Sequence, residues 1–174
     1  MQLVGAQSGT GPNPVVFRGG PGHMASKAQD FCYAQCALGA MRFEVHVDVL
    51  YSGTSGALHE IDISLYDHNR ATQIRRTRNT LPKTRTLYGA IECKFYDSDL
   101  GVALGRTFVG LISDCGTLRI KNFVTNGRSA GLAKYFSKNA RPQPFFGVSP
   151  LARDSETRFV RVVEQELMKW AGIS

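Results

Sequence analysis

The sequence predicts one domain of the mixed α/β class. Segments with alternating apolar residues, which is the strand period, are interleaved with segments of helical spacing. The chain has 174 residues, of which 43% are hydrophobic and 20% charged, enough for one domain with a core of its own. Residues 1–24 are rich in Gly, Pro and small polar residues, so we expect a flexible or extended lead-in to a single domain over residues 25–174.

The first predicted elements are a helix and two strands. Phe31, Ala34 and Leu38 recur at helical spacing and predict a helix over 26–41. Two strands then alternate, with polar residues such as His46 and Asp48 expected to face solvent. Their expected core-facing residues are Phe43, Val45, Val47, Val49, Ile61, Ile63 and Leu65. A Gly-Ser-Thr turn separates the two strands.

A basic segment and six further elements follow. We expect a third strand that closes an antiparallel meander, then a helix capped by Ser98 or Asp99. A fourth strand, a second helix, a short fifth strand and an amphipathic helix complete the order. The six elements are predicted over 87–96, 99–114, 118–125, 129–138, 145–148 and 156–170.

The positive charge is concentrated between the second and third strands. The chain has 21 Lys and Arg against 14 Asp and Glu, a net charge of +7. Residues 68–86 contain six basic residues and no acidic one: Arg70, Arg75, Arg76, Arg78, Lys83 and Arg85. We expect this basic loop to contact nucleic-acid phosphates, with a solvated surface insertion as the alternative.

Three polar residues share the face of the second and third strands that does not point into the core. Asp62 lies on the second strand, and Glu92 and Lys94 lie two residues apart on the third. Carboxylates from neighbouring strands can converge on a hard divalent cation, which needs oxygen ligands. A lysine beside them can orient water or offset charge on a phosphate. The pattern indicates a candidate hydrolytic site.

Asp62 followed by Glu92-Cys93-Lys94 resembles the Asp…Glu-x-Lys signature of the PD-(D/E)xK nucleases, the restriction-endonuclease-like superfamily. The predicted element order resembles its α-β-β-β-α-β core, and residues 123–127 before a helix are similar to type IV methyl-directed restriction nucleases. The resemblance implies that Asp62, Glu92 and the Cys93 carbonyl bind Mg²⁺, or Mn²⁺ in its place, with Lys94 as the catalytic lysine. Two departures are Ile61, where the family has Pro, and the gap of about 30 residues between Asp62 and Glu92, which is long for the family. Many members also carry an acid on an upstream helix, and Asp30 is the one acid in the predicted first helix.

The expected function is therefore metal-dependent endonucleolytic cleavage of DNA, in restriction, defence or repair. Two alternatives stay open: a catalytically inactive nucleic-acid-binding module, and a nuclease-fold subunit of a larger defence complex. Since cutting both strands of a duplex usually takes two sites, we expect a homodimer by analogy. Specificity is expected to come from loops or from a protein partner.

Other classes of protein are not favoured by the sequence. No apolar run reaches the ~18–20 residues that span a bilayer, and no signal-peptide core is seen, so we expect no membrane association. Four cysteines without framework spacing fit a reducing cytoplasm. There is no Gly-x-x-x-x-Gly-Lys loop for a nucleotide, and Cys32 and Cys36 lack the pairing of a zinc site.

Overall fold

A seven-stranded mixed sheet forms the centre of the protein. The computed structural model describes residues 2–8, 22–26, 31–78, 81–98, 100–138 and 142–173. The strands are β1 (Gln2–Ser8), β2 (Cys32–Leu38), β3 (Met41–Ser52), β4 (Leu58–Asp67), β5 (Leu87–Lys94), β6 (Ile120–Thr125) and β7 (Gln143–Phe145). They lie side by side in chain order, antiparallel from β1 to β5 and parallel from β5 to β7. The predicted mixed α/β class is confirmed.

Four helices cover the two faces of the sheet. They are α1 (His68–Thr77), α2 (Val102–Asp114), α3 (Ala130–Lys138) and α4 (Arg153–Trp170). Apolar residues of α1, α2 and α3 share one core cluster, on what we call the three-helix face. Leu167 and Trp170 of α4 belong to a second cluster on the opposite, α4 face, where the Trp170 ring stacks on Tyr88 with centroids 3.8 Å apart. Among the described helices, none is both long and apolar enough to cross a membrane.

The helix predicted over 26–41 is wrong in its described part, because residues 32–38 form β2. The Leu38↔Met41 pair closes a hairpin with β3 through Gly39, whose φ of +59° suits the tight turn. Residues four apart share a face in a strand as well as in a helix, so the buried Cys32 and Cys36 fit both patterns. Pairing with β3 decides for the strand. Asp30 lies outside the described residues.

The expected basic loop is also wrong for its first half, which is helix α1. Asp67 caps this helix by accepting a hydrogen bond from the Arg70 backbone N–H at 2.9 Å. The helix ends at Arg78, a left-handed residue with φ of +51°. A short 3₁₀ turn at Thr84–Thr86 leads into β5. The run of basic residues in this segment therefore did not indicate that part of it is helical.

The remaining predicted elements exist with shifted bounds. Gly101, not Ser98, occupies the position before the first residue of α2, and Asp99 is outside the described residues. The fifth predicted strand is β7, which ends at Phe145 where the prediction began. The last helix begins three residues earlier than expected, at Arg153.

We expected strand β3 to bury its apolar face and to expose its polar face to solvent, and this is wrong. Glu44 and His46 are fully buried, because the three-helix face covers the side that was expected to meet solvent. The strand also bends at Asp48, which has φ of +50°. Before the bend Val45 packs on the α4 face, whereas after it Val49 packs on the three-helix face. The bend therefore reverses the inward face of the strand.

Residues near the N-terminus contribute to this architecture. Residues 2–8, within the expected lead-in, pair as β1 with β2. Gly22 forms a bridge with Val49, and its N–H donates to the Asp48 carbonyl at 2.6 Å. The Met24 side chain is buried in the core cluster of the three-helix face. This short segment thus packs beside the bend in β3.

Candidate active site

The candidate site lies where β4 and β5 separate. Their ladder of paired residues reaches Ile63↔Ile91 and goes no further toward the end of β5, while β5 stays paired with β6 as far as Lys94. In place of a backbone partner, the Cys93 N–H donates to Oδ2 of Asp62 at 2.7 Å. This hydrogen bond orients the Asp62 carboxylate toward the end of β5.

Glu92 and Lys94 complete a cluster with Asp62. The Lys94 ammonium lies 2.7 Å from Oε1 of Glu92 and 3.2 Å from Oδ2 of Asp62. The side chains are 12% exposed for Glu92 and 23% for each of the other two, so solvent and a ligand can reach them. The structure thus brings together the three residues that the sequence singled out.

The partly buried setting changes the protonation equilibria of the cluster. Burial, with the charges of Asp62 and Glu60, raises the pKa of Glu92, against the opposing effect of Lys94. Burial by itself would lower the pKa of Lys94, but Glu92 and Asp62 outweigh it and raise the pKa. Burial, then the nearby carboxylates, raises the pKa of the Cys93 thiol to about 12. Lys94 is therefore a cation, and the Cys93 thiol is not a nucleophile near neutral pH.

The end of β5 is held in place from β6. Lys94 is in register with Thr125 in the parallel ladder between the two strands. Just beyond, the Asn126 side chain accepts from the Tyr96 N–H at 3.1 Å and donates to the Tyr96 carbonyl at 3.2 Å. These contacts fix the backbone on both sides of Lys94, as a preorganised site requires.

Asp48, predicted to face solvent, is a partly buried neighbour of the candidate site. The pairs Val47↔Ile63 and Val49↔Ile61 place Asp48 across from Asp62 at the bend. Burial and then the negative charge of Asp62 raise the pKa of Asp48, against the opposing effect of Lys94. An Asp interrupting an apolar run was a signal available in the sequence, since Asp tolerates left-handed backbone better than β-branched residues do.

Arg75, expected among the DNA contacts, is instead bound to a buried carboxylate. Its guanidinium makes two hydrogen bonds of 2.6 Å to Glu44, and its charge lies 4.5 Å from the Tyr33 ring centroid. His46 and His68 each contact the same carboxylate at 2.8 Å. The network joins α1 to β3, so the Arg75 side chain serves the fold.

The other five basic residues of the segment are exposed. They are Arg70, Arg76, Arg78, Lys83 and Arg85. The strand β5 runs from Leu87, next to this segment, to Glu92 in the candidate site, a separation of about 16 Å at about 3.3 Å per residue. Lys83 and Arg85, which directly precede Leu87, therefore lie at the opposite end of β5 from the candidate site.

The donor chemistry of the cluster fits Mg²⁺. Within the described residues, no group of three or more His, Cys, Asp and Glu side chains is arranged to hold a metal ion. Mg²⁺, however, keeps several waters and is commonly bound by one or two carboxylates together with substrate phosphates. Asp62 and Glu92 supply that number of carboxylates, and one oxygen of each contacts the Lys94 ammonium.

Comparison with known proteins gives no family model, curated protein or solved structure that matches the chain.

Proposed function

We propose that this protein is a metal-dependent endodeoxyribonuclease of the PD-(D/E)xK type, with its site at Asp62, Glu92 and Lys94. The observation that carries the proposal is the convergence of these side chains within 3.2 Å of the Lys94 ammonium. Asp62 comes from β4, whereas Glu92 and Lys94 come from β5, 30 and 32 residues further along the chain. Three unrelated solvated side chains are not expected to converge at the place where two strands separate.

The chemistry follows from the donor types. Asp62 and Glu92 would hold Mg²⁺, with the Cys93 carbonyl as a further oxygen; the bound ion would polarise the phosphodiester and lower the pKa of water. Lys94 orients the attacking water and offsets the negative charge that grows on the phosphate during in-line attack. By the family resemblance, the products carry 5′-phosphate and 3′-hydroxyl ends.

The order of elements supports the same assignment, but only for the part of the chain from β3 to β6. The run β3-β4-β5-α2-β6 follows the β-β-β-α-β portion of the core that the sequence resembles, with β5 and β6 parallel. The helix of that core has no counterpart over 32–38, which is β2. The proposal therefore rests on the four strands and α2, and does not use Asp30.

DNA is the proposed substrate because residues 68–86 carry five exposed cations and no acidic residue. Arg70, Arg76, Arg78, Lys83 and Arg85 remain candidate phosphate contacts, whereas Arg75 does not. We also propose, by analogy with enzymes that cut both strands, a homodimer with one site in each subunit, in the cytoplasm. Target specificity would come from loops or a partner protein.

One observation favours a second candidate, a DNA-binding module without catalytic activity. The Lys94 ammonium lies between the two carboxylates and partly neutralises them, an arrangement that could be stable without any metal. In that case divalent ions would not bind at Asp62 and Glu92. Metal binding thus separates the two candidates directly.

Incubation of the purified protein with supercoiled plasmid tests the proposal. We expect nicking or linearisation with Mg²⁺ or Mn²⁺, none with EDTA, and none from Asp62→Ala or Glu92→Ala. Asp154→Ala, which removes an exposed acid of α4, is the matched control and should cleave normally. Calorimetric Mn²⁺ binding that is lost in Asp62→Ala supports the metal site independently. Cleavage that survives in both site variants refutes the assignment.

A further inference from the structure

A cavity at the far end of the basic segment has the make-up of a phosphate site. It has a volume of about 240 Å³ and lies between the end of β3 and the turn that precedes β5. Its lining residues are Ser52, Gly53, Thr54, Lys83, Thr84 and Arg85. Two cations and three hydroxyl-bearing residues thus surround one small space, and no acidic residue lines it.

The cations of this cavity are available to a ligand. Lys83 donates one hydrogen bond, to the Ser52 hydroxyl at 3.2 Å, which leaves two of its three N–H donors. No hydrogen bond or ion pair of the Arg85 side chain occurs among the described residues. Both residues are exposed, whereas Ser52 and Thr84, which form the floor, are buried. The two cations are thus exposed next to buried residues of the same cavity.

The walls of the cavity are firmly built. The Thr84 hydroxyl donates to the Ser52 carbonyl at 3.3 Å, and the Ser52 N–H donates to the Pro82 carbonyl at 2.9 Å. Gly53 has no room for a Cβ, because the Asp114 carboxylate packs against it. That carboxylate accepts hydrogen bonds from Thr54 and Ser55 of the hairpin loop and from His59 of β4, so both of its oxygens already have donors.

We propose that this cavity, which we call the Lys83–Arg85 pocket, binds a phosphate group of the substrate DNA backbone. This part rests on the proposed function. Arg85 of the pocket lies just before the start of β5, and the strand from Leu87 to Glu92 spans about 16 Å. At 3.4 Å of helix axis per phosphate of one strand, that span corresponds to about five nucleotide steps. The pocket would thus hold the DNA at a distance from the scissile bond and set the minimum length of a good substrate.

Inorganic phosphate, titrated at constant ionic strength against a chloride control, tests the pocket without any catalysis. Amide resonances of Thr54 and of residues 83–85 should shift and saturate, and the shifts should vanish in Lys83→Gln/Arg85→Gln. Shifts that do not saturate, or that persist in the double variant, overturn the pocket. The result does not depend on nuclease activity, so failure here and failure of plasmid cleavage are separate outcomes.

A DNA arm identifies the source of the phosphate. Binding of a 20-base-pair duplex is measured in Ca²⁺ or EDTA for Lys83→Gln/Arg85→Gln and for the charge-matched Arg76→Gln/Arg78→Gln at the C-terminal end of α1, called the α1 variant. We expect the pocket variant to lose at least tenfold more affinity than the α1 variant, with a salt-dependence slope smaller by about 0.9. Equal losses overturn the DNA assignment, and saturable phosphate binding would then assign the pocket to a free phosphate or a small phosphate ester.

Discussion

The Arg75 guanidinium and the Glu44 carboxylate form a two-pronged ion pair, with both N–H···O distances 2.6 Å and the Glu44 side chain fully buried. Planar donors that match a carboxylate in this way make strong, directional contacts. Glu44 also accepts hydrogen bonds from the His46 and His68 rings, so one carboxylate links α1 to β3. The consequence is that an arginine in the most basic stretch of the chain contributes to folding.

Arg75→Ala should lower the free energy of unfolding by about 3–5 kcal/mol, because it leaves a buried carboxylate without its cation. Arg75→Lys, which keeps the charge but not the planar pair of donors, should have a smaller effect. The exposed Arg76 on the same helix is the control, and Arg76→Ala should change stability by no more than about 0.5 kcal/mol. Urea titrations measure all three, and equal effects at positions 75 and 76 would contradict the role of Arg75.

The same network predicts loss of stability in acid. Burial alone would raise the pKa of Glu44, but hydrogen bonds from Arg75 and His46 outweigh it and lower the pKa to about 2. Burial lowers the pKa of His46, against the effect of Glu44. Both groups bind protons more readily when unfolded. Their stabilisation is therefore complete above the unfolded pKa of each, about 6.5 for His46 and 4.5 for Glu44, and is lost as pH falls below them.

The size of the Glu44 contribution can be measured. A shift from 4.5 to about 2 corresponds to about 3 kcal/mol, lost between roughly pH 5 and pH 2. Urea midpoints taken at pH 7, 5 and 3 should fall steadily for the parent chain. Glu44→Gln should start lower and fall less over the same interval. Parallel curves for the two proteins would show that Glu44 does not carry the acid sensitivity.

Lys94→Ala should lower the turnover of DNA cleavage by about two or more decades, the usual contribution of a positioned acid–base or charge-stabilising group. Metal affinity should survive, because lysine is not a ligand. Single-turnover cleavage and calorimetric Mn²⁺ binding measure the two effects separately. Lys134→Ala, an exposed lysine of α3, serves as the control. Loss of metal binding in Lys94→Ala would point to a general collapse of the cluster.

Asp48→Asn tests whether the third carboxylate helps to hold a cation. Asn accepts the left-handed backbone at this position as readily as Asp does, so the bend in β3 should persist. Removing one negative charge next to Asp62 should weaken Mn²⁺ binding by about tenfold, the lower end of effects from groups just outside the ligands. Unchanged Mn²⁺ affinity, with an unchanged unfolding midpoint, would make Asp48 a residue of the bend alone.

Much of the candidate site could be predicted from local patterns. Strand alternation placed Asp62, Glu92 and Lys94 on two strands of one meander, and their separation along the chain was no obstacle because adjacent strands of a meander pair. The period of two residues is a property of the backbone, so it can be recognised without knowing what packs nearby. The split between β4 and β5 that turns Asp62 toward the Cys93 N–H had no such signature.

The sequence by itself determined the mixed α/β class, the meander and the residues of the candidate cluster. Only the tertiary structure decided three further points: that 32–38 is a strand, that Arg75 is bound to Glu44, and that Asp48 lies at a bend. Each depends on a contact with another element of the fold: pairing with β3 for residues 32–38, the buried Glu44 for Arg75, and the pairing with β4 for Asp48. Spacing of four residues suits helix and strand alike, and a charge is free or paired according to what the fold brings beside it. Local patterns record the backbone period, whereas long-range packing selects among the structures that share it.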